Sequence, residues 1–152
     1  MKAKDLSQIG IIAAIYAVLT ILLSPISYGP LQFRLSEIMK PLALRGRNEI
    51  LGLSIGLFLA NLFSPFGGLW ELLFMPLVCL TGGYITYYLR SMKYLAVTFY
   101  SLWIAGGVSI VLYMMVGLPI VATFPGVFIS ELILMWIVVL IIENILCRSR
   151  SA

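Results

Sequence analysis

Apolar residues form long, nearly uncharged segments along this chain, and charged or Pro- and Gly-rich stretches separate them. The first segment ends at Ser24-Pro25 and the third at Ser64-Pro65, because proline interrupts a continuing helix. Nothing alternates with the period of two that a membrane β-barrel needs. The pattern therefore predicts six helices, with expected bounds of about 6–24, 34–45, 49–63, 69–90, 93–116 and 124–147.

Four of the six predicted helices are long enough to cross a membrane, since a span needs about 20 residues at 1.5 Å each. The second and third predicted helices cover only ~18–23 Å by the same rise. Two arrangements fit their length. They form either a re-entrant hairpin or two short helices in a thin bundle.

Composition agrees with a membrane protein. Of the 152 residues, 62% are hydrophobic and only 11% are charged, and the mean hydropathy is +1.09, whereas a soluble domain carries about 25% charged residues. The first apolar segment is long, lacks an A-x-A type exit and precedes similar segments, so we expect a retained helix rather than a signal peptide. We predict one domain, 1–152, in the cell (plasma) membrane.

Basic residues choose between the two arrangements of the short helices. With six crossings all eight basic residues near helix ends share one side, and the opposite loops, about 25–33, 64–68 and 117–123, hold no charge. The positive-inside rule makes the basic side cytoplasmic. A re-entrant hairpin would place Arg45 and Arg47 inside the membrane at a cost of several kcal/mol. We therefore predict an all-α membrane protein, a compact bundle of six transmembrane helices with both termini cytoplasmic. The eight residues are Lys2, Lys4, Arg45, Arg47, Arg90, Lys93, Arg148 and Arg150.

Five polar residues fall in the other, outer half of the predicted bundle: Arg34, Glu37, Asn61, Glu71 and Glu131. Some have a simpler explanation, since Arg34 and Glu37 suit a local i,i+3 pair, and a carboxylate suits a helix N-terminus. The simpler explanation does not fit Glu131, because apolar residues surround this carboxylate at membrane depth, where ionisable groups usually mark a ligand or ion path.

The placement of the Lys40 side chain remains open, because an ion pair with Glu71 or Glu131 and a snorkelling side chain fit the sequence equally well.

Aromatic residues accompany this outer set in two Pro- and Gly-rich stretches, as Tyr28, Phe33, Phe66 and Trp70. An aromatic belt at the membrane surface explains them equally well. Taken with the carboxylates, however, they suit a planar ligand that is cationic or rich in hydrogen-bond donors, because rings stack and a carboxylate accepts two N–H bonds.

The sequence lacks the residues that several classes of chemistry require. The chain has no His, its two cysteines are far apart, and no metal-ligand spacing or catalytic constellation is present, so we expect no metal, no cofactor and no enzyme. The phosphate-binding motif G-x-x-x-x-G-K-[ST] is also missing. Energy for transport would then come from other subunits or from an ion gradient.

The stretches "SPISYGPLQFRLSE" and "GLFLANLFSPFGGLWE", followed by a late Glu in the last helix, resemble the queuosine-precursor transporter family. The resemblance covers nearly the whole chain. It implies a six-helix substrate-binding (S) component of an energy-coupling-factor transporter, which captures a 7-deazaguanine queuosine precursor, in particular the 7-aminomethyl base. By this match Gln32, Arg34 and Glu37 belong to the first motif and Asn61 to the second, and Glu71 aligns with a family position. The expected ligand-binding residues are Gln32, Phe33, Arg34, Glu37, Asn61, Trp70, Glu71 and Glu131.

The resemblance also implies partners: a transmembrane coupling subunit and two ATPase subunits. Small residues at Gly10, Ala13, Ala14 and Ala17 form one stripe on the first helix, and small residues let helices approach closely in lipid. Packing inside the bundle is the alternative, and with the resemblance we favour the coupling interface. Two other functions stay open, an S component for another vitamin-like ligand and a stand-alone secondary transporter driven by an ion gradient.

Overall fold

The chain is helical throughout the ranges that the computed structural model describes, namely 2–27, 34–65 and 68–150, with the backbone alone at 26–27 and 145–150. No strand occurs in these ranges. The first half contains α1 (Ala3–Leu22), a single turn α2 (Ser24–Ser27), a 3-10 helix (Leu35–Leu44) and α3 (Arg47–Asn61). The second half contains a π-helical turn (Trp70–Phe74), α4 (Met75–Tyr88), α5 (Lys93–Val116) and α6 (Ile120–Arg150).

Each of the six predicted segments has a helical counterpart, and the predicted bounds 93–116 coincide with α5. The fourth prediction, 69–90, differs, because Trp70–Phe74 within it form the π-helical turn and α4 itself has 14 residues. Three helices among the described residues are long and apolar enough to cross a membrane: Ala3–Leu22, Lys93–Val116 and Ile120–Asn144. The chain is therefore an integral membrane protein.

The second predicted segment is a 3-10 helix rather than an α-helix. Pro41 lies inside it and lacks the N–H that an α-helix would bond to the Glu37 carbonyl. With three residues per turn, side chains at i and i+3 eclipse one another. Arg34, Glu37, Lys40 and Ala43 therefore share one face, and all four are buried. Ten residues at about 2.0 Å each cover only ~20 Å.

This 3-10 helix lies at the centre of the molecule, where it contacts α1, α3, α4 and α6. Around it α1 packs chiefly on α3, and α5 packs on α6 and α4. Two glycines of α3 allow the first contact: a Cβ on Gly52 would lie 2.8 Å from the Cβ of Ile12, and one on Gly56 would lie 2.8 Å from the carbonyl oxygen of Ala13. The central position places the polar face of the 3-10 helix among four other elements.

Candidate functional site

An ion pair between Arg34 and Glu71 lies where the 3-10 helix begins. The Arg34 Nη2 donates to Glu71 Oε1 at 2.8 Å, and its Nη1 donates to Asn61 Oδ1 at 3.2 Å. All three side chains are at most 5% exposed. The pair joins the 3-10 helix to the π-helical turn, and the amide of α3 supports it.

Asn61 and Ser64 hold the backbone and the side chain of Glu71, respectively. Asn61 Nδ2 donates to the Glu71 carbonyl oxygen at 2.6 Å, and the Ser64 hydroxyl donates to Glu71 Oε2 at 2.6 Å. Wider π-helical turns often occur at functional sites. Here the turn directs Glu71 inward while Trp70, its neighbour, is 47% exposed.

A second ion pair follows one turn further along the 3-10 helix, where the Lys40 ammonium contacts Glu37 Oε2. The other oxygen, Glu37 Oε1, accepts from the Tyr16 hydroxyl at 2.5 Å. The Lys40 ammonium also lies 5.5 Å from the ring centroid of Tyr100, at cation–π distance. Lys40 is completely buried, so it pairs inside the protein and does not snorkel.

Helix α1 contacts this part of the 3-10 helix through a polar edge. The Thr20 hydroxyl donates to the Tyr16 carbonyl oxygen at 2.9 Å and lies 2.7 Å from the Ser36 hydroxyl. On the other side, the Tyr100 hydroxyl donates to the Cys79 carbonyl oxygen at 2.9 Å. Tyr16 thus bonds the second ion pair directly, while Thr20 joins α1 to the 3-10 helix through Ser36 and the Tyr100 ring lies over Lys40.

Glu131 of α6 completes the cluster and forms no ion pair with a cation in the described ranges. It interacts with Glu37, Lys40 and Arg34, and it is only 4% exposed. Its Oε2 is buried and has no hydrogen-bond partner in the described part of the chain. With Arg34 pairing Glu71 and Lys40 pairing Glu37, the third carboxylate is in excess. When all five groups are ionised, the cluster carries one net negative charge.

The free space at the cluster is small. A cavity of about 10 Å³ lies beside Arg34 and Glu71, and Met75 and Met115 are among the apolar residues that line it. This is room for about one water molecule. A planar ligand of bicyclic size therefore needs these side chains to move.

The structure brings most of the predicted ligand residues together. Those found in the cluster are Arg34, Glu37, Asn61, Glu71 and Glu131. Trp70 faces away from it and packs edge-to-face on Phe74 at 6.0 Å between ring centroids. Gln32 and Phe33 lie outside the described residues, as do Tyr28 and Phe66.

The stripe predicted on the first helix is divided between two faces. Ala13 and Ala17 are 4% and 7% exposed and point into the bundle, where Ala13 lies close to Gly56. Gly10 and Ala14 are exposed, and a Cβ on Gly10 would meet nothing within 4 Å.

The sequence interpretation missed Tyr16, Thr20, Ser64 and Tyr100. Tyr16 and Thr20 lie four residues apart in the apolar part of α1 that follows Gln8, and this i,i+4 spacing of polar groups signals an inward-facing edge. A second missed signal is Gly52-x-x-x-Gly56, the small-residue spacing that lets two membrane helices pack closely. It indicates that α3 packs closely on another helix, and the structure shows that this helix is α1.

The arrangement suits a cation, because acidic groups outnumber basic ones in the cluster. Glu37 and Glu131 interact with each other, and of these two carboxylates only Glu37 forms an ion pair within the part of the chain that the structure describes. Burying a charge without a partner is costly, so such a pair is stabilised by a proton or by a positive ligand. Within the described residues no group of three His, Cys, Asp or Glu side chains is suited to hold a metal ion.

Comparison with known proteins identifies relatives. The family model described as QueT transporter matches residues 6–147. A queuosine precursor transporter, QueT, of Lactococcus lactis subsp. cremoris (strain MG1363) is 39% identical over 84 residues, which is 50% of this chain and 50% of the relative. The chain thus aligns with about half the length of this curated relative. No solved structure matches the chain.

Proposed function

The chain belongs to the QueT transporter family, a family of transporters rather than enzymes, and from this we propose that it binds a queuosine precursor for uptake across the cell membrane. This membership confirms the resemblance drawn from the two sequence motifs. The observation that carries the proposal is the buried carboxyl group of Glu131, whose Oε2 has no hydrogen-bond partner in the described residues; when ionised, it gives a cluster of three acidic and two basic groups one net negative charge. A cationic ligand neutralises that charge.

The 7-aminomethyl form of the 7-deazaguanine base fits the cluster best. Its ammonium group would pair with Glu131, and the donor edge of its guanine-like ring would bond a second carboxylate, because one carboxylate accepts two parallel N–H bonds. A neutral precursor offers no charge to Glu131. We therefore propose the aminomethyl base as the preferred substrate.

Binding requires the cluster to open, because the cavity beside Arg34 has room for only about one water molecule. Met75 of α4 and Met115 of α5 line that cavity, and methionine side chains rearrange easily. We propose that the ligand displaces these two side chains and lies against the Arg34–Glu71 pair. In this position it is within reach of the 3-10 helix.

Titration calorimetry on the purified chain tests the proposed substrate directly. The aminomethyl base should bind more tightly than a 7-deazaguanine with an uncharged group at position 7, by tenfold or more, since the charged pair adds about 1.5–3 kcal/mol. Mass spectrometry of molecules that co-purify is an independent check. Equal affinity for both bases would contradict the role given to the cluster charge.

Uptake in this proposal draws its energy from partner subunits, as the resemblance to S components implies. The partners are a transmembrane coupling subunit and two ATPases. The face of α1 that stays exposed in this chain supports a lateral contact, because Gly10 and Ala14 lie on it. We therefore assign the coupling contact to these two residues, while Ala13 and Ala17 pack within the bundle.

Leucine substitutions on the two faces of α1 test this assignment. Ala14→Leu should reduce uptake and recovery of the complex, because added methylenes separate two backbones that touch, while ligand affinity of the isolated chain stays unchanged. Ala13→Leu is the matched control. It should overpack the contact with Gly56 and cost ~1–3 kcal/mol of stability.

Two results would contradict the coupling role of α1. One is normal uptake by the Ala14→Leu protein in the presence of the partners. The other is ligand accumulation by vesicles that contain this chain alone, which would instead indicate a secondary transporter.

The orientation of the bundle is part of the proposal: six crossings with both termini in the cytoplasm. Basic residues flank the turns on one side only, and this asymmetry supports it. In a cysteine-free background, a cysteine at position 119 should react with an impermeant reagent from outside, and one at position 92 only after permeabilisation. Both positions are exposed. Reaction of the cysteine at position 92 in intact cells would contradict this orientation and indicate the opposite one.

A further inference from the structure

A groove of about 600 Å³ lies at the end of the 3-10 helix opposite Arg34, between that end, the α4–α5 turn and α6. Its inner wall is apolar and includes Leu44 and Ile142, and its rim carries Arg45, Arg90 and Lys93. One acidic residue, Glu143, is among the described residues that line it. The groove thus combines an apolar wall with a basic edge.

The carboxylate of Glu143 in the groove already has two partners. Glu143 Oε1 lies 3.2 Å from the Lys93 ammonium, and its Oε2 accepts from the Tyr94 hydroxyl at 2.6 Å. Arg45 and Arg90 form no ion pair with any carboxylate in the described ranges. Two guanidinium groups therefore face the groove with their charge uncompensated.

One of these guanidinium groups is also held in place. The guanidinium carbon of Arg90 lies 4.2 Å from the ring centroid of Tyr87, a cation–π stacking distance. Such stacking leaves the edge of the guanidinium, with its N–H donors, free to bond an anion. The exposed hydroxyl of Ser91, next along the chain, is a further donor.

The groove lies at the depth where lipid headgroups begin. The apolar span of α5 starts at Lys93, and Arg45, Arg90 and Glu143 line the groove beside it, so the groove lies where the bundle becomes polar. Exposed apolar side chains of α6, including Ile141 and Ile142, continue from it along the lipid-facing surface. A molecule that fits must therefore be amphipathic, with an anionic head and apolar chains.

We propose that this groove binds a phospholipid with an anionic headgroup from the leaflet at the basic end of the bundle. Its phosphate would bond Arg45 and Arg90, since guanidinium groups match phosphate oxygens in geometry and charge. Its acyl chains would lie against Leu44 and Ile142. Basic pockets between transmembrane helices recognise anionic headgroups in this way. The site is separate from the ligand cluster, and the inference does not depend on the substrate.

Native mass spectrometry of the detergent-solubilised full chain tests the site. Phosphatidylglycerol and phosphatidylcholine of equal chain length are added in turn, and the bound fraction is measured. The chain should retain phosphatidylglycerol at least tenfold better. The double variant Arg45→Gln/Arg90→Gln should lose this preference, whereas Arg47→Gln, an exposed cation that does not line the groove, should keep it.

Thermal unfolding followed by circular dichroism serves as the folding control, because the double variant changes only exposed side chains and should keep the stability of the unmodified chain. Equal retention of the two lipids by the unmodified chain would overturn the proposal. So would an equal loss in the Arg47→Gln protein. Displacement of the lipid by the same concentration of soluble glycerol phosphate would assign the groove to a soluble anion instead.

Discussion

Lys40→Met is expected to lower the free energy of unfolding by about 3–5 kcal/mol, the usual cost of removing one partner of a buried ion pair. Lys40 is fully buried, contacts Glu37 and lies over the ring of Tyr100. Without its ammonium group, Glu37 and Glu131 would be two neighbouring carboxylates with no cation between them. The loss reflects the charge left behind, not the attraction of the pair alone.

Two further variants isolate that cause. Adding Glu37→Gln to Lys40→Met should recover most of the stability, because the orphaned charge is removed together with its partner, and such recovery reports direct coupling. The exposed pair Lys93–Glu143 provides the control: its side chains are 48% and 37% exposed, so Lys93→Met should cost less than ~1 kcal/mol.

Unfolding of the purified protein in detergent, followed by circular dichroism, measures all three variants. A Lys40→Met protein as stable as the Lys93→Met protein would contradict the buried ion pair. No recovery in the double variant would mean that Lys40 stabilises through packing rather than charge.

Glu131→Gln should weaken binding of the aminomethyl base at least tenfold, which corresponds to ~1.4 kcal/mol or more. The physical reason is the loss of the charged acceptor for the ligand ammonium, a bond of about 1.5–3 kcal/mol. The same substitution should leave the stability of the ligand-free protein unchanged or raise it. Glu131 Oε2 is buried without a hydrogen-bond partner in the described chain, and a neutral amide costs less to bury than an unpaired charge.

These opposite signs separate a binding role from a structural one. A residue that only supports the fold would lose stability and affinity together. Titration calorimetry and thermal unfolding on the same preparation measure both quantities. Glu143→Gln, also on α6 but partly exposed at the groove, should change ligand affinity little. Unchanged affinity in Glu131→Gln would place the ligand elsewhere.

Most helix bounds could be predicted from the sequence because hydropathy acts on each segment separately. Apolar residues must face lipid or the core, so a run such as Lys93–Val116 is recognisable without knowing its neighbours. The division of the fourth helix into a π-helical turn and α4 could not be predicted in this way. It depends on how Asn61 and Ser64 of a neighbouring segment hold the backbone and side chain of Glu71.

The types of residue in the candidate site were also predictable, since a carboxylate such as Glu131 is costly at membrane depth and calls for a partner or ligand. Their pairing was not. In an α-helix each three-residue step advances about 300°, so Arg34 and Lys40 would point about 120° apart. In a 3-10 helix the same steps are full turns, and Arg34, Glu37 and Lys40 align. That alignment lets Arg34 form an ion pair with Glu71 and Lys40 form one with Glu37.

The division of the small-residue stripe on α1 also depends on packing that the sequence does not reveal. Four small residues on one helix indicate close packing, but they do not say against which neighbour. Gly52 and Gly56 of α3 take Ala13 into the bundle, and this leaves Gly10 and Ala14 outside. Which segments enter the membrane and which charges need partners follow from local transfer energies, so the sequence carries them. Which group pairs with which, and which face stays free, follow from helix phase and from contacts between distant segments, which exist only once the chain has packed.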